Sequence, residues 1–140
     1  MDIQTYKTYH LVKSEDLNHH GTLYAGRSAE WFVESGFIAA SSLTCPAETV
    51  CLQIHGMMFK SPVHLGEIVG YESRVVYTGR TKIVTYICVK RQEQVLLDGF
   101  ITFIHVDETG HSVPHGIEIV ARTPEEQALQ QRAMGLFEKK

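Results

Sequence analysis

No apolar run in the sequence approaches the ~20 residues that a bilayer-spanning helix needs, so no membrane segment is expected. A basic excess is missing too. The 13 Lys and Arg stand against 16 Asp and Glu, for a net charge of −3, which argues against a nucleic-acid surface. The opening "MDIQTYKTYH" has neither a basic nor an apolar leader region, and no signal peptide is expected. Cys45, Cys51 and Cys88 lack metal-ligand spacing and read as small, partly buried thiols of a reducing compartment. The expected location is therefore the cytoplasm. Repeats, linkers and low-complexity stretches are also lacking, so residues 1–140 read as a single domain with one hydrophobic core.

What is present is a strand, a long apolar helix, and then strands in close succession. "TYKTYHLV" (5–12) carries the β-branched and aromatic residues of a first strand. "GRSAEWFVESGFIAASSL" (26–43) is Ala-rich, free of proline and apolar on more than one side. That is the pattern of a helix wrapped by protein, and Cys45-Pro46 ends it. Four strands are expected next, over 50–60, 68–77, 82–91 and 95–106, with Gly99 marking a bulge or bend in the last. Thr123-Pro124-Glu125-Glu126 combines an N-cap, a first-turn proline and a capping-box acid. It opens a terminal helix with Leu129, Met134, Leu136 and Phe137 for docking. Such short links make consecutive strands antiparallel. The fold class is α+β: an antiparallel sheet curled around a long central helix, with a C-terminal helix.

"LNHHGTLYAG" (17–26) stands at the entrance to the central helix and holds more than a connector needs. A helix N-terminus offers unpaired backbone N–H groups and partial positive charge. Gly21 and Gly26 allow a ligand close to the backbone, and Asn18 adds an amide donor. Glu34, desolvated in the interior, would supply a base or nucleophile. Donors at a carbonyl oxygen and a base on its other side are what acyl transfer requires. Adjacent residues rarely converge on one ion, so His19 and His20 are not expected to bind metal; one of them is expected to pack or hydrogen-bond near the site. His55, His64, His105, His111 and His115 are expected to have no chemistry.

"NHHGTLYAG", with Trp31 following, resembles the start of the central helix in hotdog-fold acyl-CoA thioesterases. "FKSPVHLGEIV" (59–69), "TGRTK" (78–82) and "VPHGI" (113–117) resemble later segments of that family, in the same order and spacing. The resemblance implies a hotdog fold and cofactor-free hydrolysis of an acyl-CoA to free acid and CoA. The candidate catalytic residues of this chain are Asn18, Glu34 and His20. Substrate contacts would come from His19, Gly21, Gly26 and Phe59, and contacts to CoA phosphates from Arg80 and Lys82. Met57, Met58 and Phe59 would line an acyl pocket or fill the sheet core.

One position departs from the family. Two residues after Trp31, where the family carries an acid, stands Val33; Glu34 follows it, and Glu30 lies one turn earlier. A one-residue shift rotates a helical side chain by ~100°. Two other readings therefore stay open: a β-hydroxyacyl thioester dehydratase pairing His20 with Glu34, and a non-catalytic acyl-CoA-binding protein. If the helix starts near Gly26, Glu34 lies ~12 Å along it, too far for one carbonyl to touch both. The site is then shared between two chains, in a homodimer or a dimer-based tetramer or hexamer.

Overall fold

The computed structural model describes residues 1–138. In chain order the elements are β1 (Thr5–Leu11), α1 (Ala25–Ser41), β2 (Thr49–His55), β3 (Ile68–Thr78), β4 (Lys82–Arg91), β5 (Gln94–His105) and α2 (Pro124–Gly135). The strands form one antiparallel sheet in the order β1-β3-β4-β5-β2. With α1 against one face and α2 against the other, this is the expected α+β hotdog arrangement.

The central strand β4 explains the layering. Its side chains alternate between faces, and it is apolar on both. Ile83, Ile87 and Val89 meet Phe32, Ala39 and Ala40 of α1, while Val84, Tyr86 and Cys88 meet Leu129 and Ala133 of α2. Gly36 lets α1 settle onto the sheet: a Cβ there would press to 3.1 Å against Ile87, Ile101 and Thr85 side chains. The strand β2 forms the edge next to β5 and leaves Val50, Leu52 and Ile54 exposed.

Some elements differ from the sequence reading. The central helix begins at Ala25, one residue early. β2 stops at His55 because Gly56, with φ +75°, turns the chain away, so residues 56–60 are not strand. Gly99 pairs regularly with Ile87, and the register shift in β5 falls at Leu96 instead. What Gly99 permits is close passage of the loop after β2: a Cβ there would run into the Gly56 carbonyl oxygen. The α2 capping box forms as expected, Thr123 Oγ1 accepting from Glu126 N–H at 3.1 Å. Met134 points off the docking face and is 40% exposed; Ala133, one residue before it, is buried in its place. No described helix is long and apolar enough to cross a membrane.

Candidate active site

The "NHHG" stretch is first of all a turn. Gly21 N–H donates to the Asn18 carbonyl at 3.0 Å, and Gly21 has φ +80°, a conformation that favours glycine. Asn18 Oδ1 accepts the backbone N–H groups of His20 (2.9 Å) and Thr22 (3.2 Å), as asparagine does when it mimics a backbone carbonyl. The oxygen end of this amide is thus committed. Its nitrogen end retains hydrogens to give, only one of which can go to Thr22 Oγ1 at 3.2 Å. His19 and His20 are exposed, with their rings 3.8 Å apart.

The chain then enters α1 under firm control. Leu23 N–H donates to Val63 O and Tyr24 N–H to Asp16 O, both at 2.8 Å. Asp16 is buried; its carboxylate accepts from Lys13 N–H at 2.9 Å and pairs with Arg27 at 3.3 Å. Tyr24 caps the helix without a side-chain hydrogen bond, and no acid lies in the first turn. Arg27 and Ser28 N–H groups reach the Tyr24 carbonyl. Those of Ala25 and Gly26 have no acceptor among the described residues. A cavity of about 330 Å³ opens beside this end, lined by Asn18, Ala25, Ser28, Phe59, Lys60 and Leu97 among others. Phe59 reaches it from the loop after β2, whereas Met58 is 64% exposed and lies outside it. Behind the wall, Ser28 Oγ lies 3.0 Å from the hydroxyl of Tyr71, whose burial pushes its pKa up to about 12.

Glu34 is not in the interior of the chain. It is exposed, on a separate open hollow of about 520 Å³ that it shares with Gly26, Glu30, Val33, Phe37 and Cys51. Its helix face looks outward, because the inward positions Phe32, Ser35 and Gly36 are taken up by the sheet. Glu30 is tied to Arg27 at 3.5 Å, while Glu34 forms no ion pair among the described residues. Gly26 borders this hollow with the Tyr24 ring laid over it. Near Glu34, His10 stacks flat on Trp31 at 4.2 Å, its Nε2 buried without a partner among the described residues. Burial lowers the His10 pKa, while the charges of Glu34 and Asp16 oppose that.

Arg80 and Lys82 sit at the far end of the β3–β4 hairpin, and Val69 and Val89 at its near end line the cavity. The hairpin spans roughly 30 Å at ~3.3 Å per residue, and the Lys82 ammonium lies over the Phe137 ring at 3.9 Å. Neither Arg80 nor Lys82 lines the cavity. Asp16, Ser28 and Tyr71 escape sequence reading because their partners lie 11 to 43 residues away, with no periodic signal.

The model of the thioesterase superfamily matches residues 20–97, which carry α1 and most of the sheet. The chain belongs to the thioesterase superfamily. Among curated members, an uncharacterized acyl-CoA thioester hydrolase of Bacillus subtilis is 26% identical over 125 residues, covering 85% of this chain and 72% of that protein. The acyl-CoA hydrolase of Bacillus cereus superposes with a TM-score of 0.83 at 24% identity, over 94% of this chain and 83% of that one. A crystallised apo-hexameric acyl-CoA thioesterase gives 0.79 at 27% identity, over 94% and 86%. The superfamily match contains both the uncapped helix end and Glu34.

Proposed function

We propose that this thioesterase hydrolyses an acyl-CoA to a free acid and CoA, in a site assembled from two copies of the chain. The observation that carries the reading is the uncapped N-terminus of α1, which opens onto the cavity beside an oriented Asn18 amide. The Ala25 and Gly26 N–H groups and Asn18 Nδ2 polarise the thioester carbonyl and hold its oxygen as it becomes negative. Glu34 of a second copy, acting as base, takes a proton from water as the water adds to the carbonyl carbon. The C–S bond then breaks, and the sulfur leaves with that proton as the CoA thiol. As nucleophile, Glu34 would instead add to the carbonyl carbon and expel the CoA thiolate, which takes a proton from solvent, leaving a mixed anhydride that water then opens to the free acid and the Glu34 carboxylate.

Within one chain Asn18 and Glu34 face different hollows, which is why the second copy is needed. Lys60, at the cavity rim, supplies positive charge for CoA phosphates, and Arg80 and Lys82 serve a copy other than their own. One structural relative is hexameric, in keeping with a homo-oligomer. His19, His20 and Gly21 shape the turn that aims Asn18.

The test is release of free thiol from a panel of acyl-CoAs. A hydrolase frees CoA and the acid in equal amounts. A product that keeps the thioester but loses water would identify a dehydratase, and binding without turnover would identify a sensor; either overturns the proposal.

A further inference from the structure

The cavity beside Asn18 is walled largely by carbon, with Leu23, Val63, Val69, Val89 and Leu96 facing its interior. Three hydroxyls interrupt that wall: Thr22 Oγ1 is engaged by the Asn18 amide at 3.2 Å, Ser61 is half-buried, and Ser28 is the buried one. Ser28, at 5% exposure, lines the cavity 3.0 Å from the hydroxyl of Tyr71, which is fully buried. Two hydroxyls bring two hydrogens, and the bond between them uses one. Neither group has another side-chain partner among the described residues, so one O–H is left over. Tyr71 is enclosed by the edges of His10 and Trp31, while Ser28 borders the open space. Tyr71 donating to Ser28 is therefore the arrangement that sends the spare hydrogen into the cavity. A plain hydrocarbon chain packed there strands a donor in a dry pocket, which is unfavourable.

Distance fixes where an acyl oxygen would meet it. Ser28 is three residues beyond Ala25, on the same helix face and ~4.5 Å further along the axis. With the thioester carbonyl at the helix end, three bonds of about 1.5 Å reach ~3.8 Å in an extended zigzag chain, close enough to ~4.5 Å for a hydrogen bond to make up the difference. Three bonds lead from the carbonyl carbon to an oxygen on the third carbon. We infer that the cavity selects acyl thioesters oxygenated at that carbon, as 3-hydroxy or 3-oxo groups. Ser28 is the donor that determines the specificity, and Tyr71 is the positioning residue behind it. The inference rests on the thioesterase reading above.

The test compares hexanoyl-CoA with 3-hydroxyhexanoyl-CoA and 3-oxohexanoyl-CoA. Six carbons suit a cavity of about 330 Å³, which is roughly eleven times the ~30 Å³ share of one water. For the wild type, kcat/KM of the better oxygenated substrate should exceed that of hexanoyl-CoA by ~10-fold or more. Ser28→Ala and Tyr71→Phe, each removing a single oxygen, should both bring that ratio close to one. The loss should fall on the oxygenated substrate, a split that a merely structural role would not produce. Equal CoA release from all three by the wild type overturns this inference alone, as does a ratio that survives both substitutions. Release from none overturns the thioesterase reading and this inference with it.

Discussion

Asn18 does two things that substitutions can separate. Its oxygen ties the turn and its nitrogen is the free donor. Asn18→Asp keeps an acceptor for the His20 and Thr22 N–H groups but has no N–H to give. Turnover should fall by ~100-fold or more, as for loss of an oxyanion donor, while the melting temperature stays near that of the wild type. A large fall in melting temperature would make the turn the whole of its role. For the carboxylate, Glu34→Gln should lower kcat by at least ~100-fold, the low end for a lost general base. Glu30→Gln should remain close to wild type, because its exposed pair with Arg27 is worth little. Reversed results would give the chemistry to Glu30. At this scale the turn role of Asn18 is readable in the sequence, because an asparagine three residues before a glycine is a local turn signal. Glu34's exposure was not readable, since it depends on which helix face the sheet takes.

Among the elements, the glycine pair Gly56 and Gly99 tests how tightly the loop after β2 is bound to the sheet. Gly99→Ala forces a methyl group against the Gly56 carbonyl. It should destabilise the fold by about 1–3 kcal/mol, as overpacking does, seen as a lower urea midpoint; an unchanged midpoint would show that the loop moves aside freely. The helices and β4 were legible because periodicity and caps act within a few residues. The end of β2 was not. The apolar run through Met57, Met58 and Phe59 continues the strand pattern, but one positive φ at Gly56 diverts the chain toward the cavity. Likewise, the bulge at Leu96 has no glycine to announce it.

For the whole molecule, the edge strand β2 argues for pairing. Natural edges are usually short, charged or covered, yet β2 exposes Val50, Leu52 and Ile54 at 49%, 60% and 41%. A second copy laid there would cover them and close the hollow lined by Glu34 and Cys51. Mixing inactive Asn18→Ala and Glu34→Gln chains under subunit exchange should then restore activity. Each mixed dimer holds one doubly altered site and one intact site. Random exchange makes about half the dimers mixed, so roughly a quarter of wild-type activity should return. No recovery, with mixed dimers verified by mass spectrometry, would place both residues in one chain's site or in none.

Trp31 is the protein's one tryptophan, and its position makes it an optical reporter of the charge on His10. It lies face to face with His10 at an interplanar angle of 5°, three residues from Glu34. Burial holds the His10 pKa below its ordinary value, with Glu34 and Asp16 pulling it up and Lys13 pulling it down. An imidazolium stacked on an indole quenches its fluorescence, so emission should dim on acidification only below the usual histidine range. Glu34→Gln removes one of the charges that favour the proton and should move that dimming to still lower pH. A fluorimeter thus reads the proton on His10 without any substrate, and an unmoved midpoint in Glu34→Gln would mean that His10 does not sense that side chain.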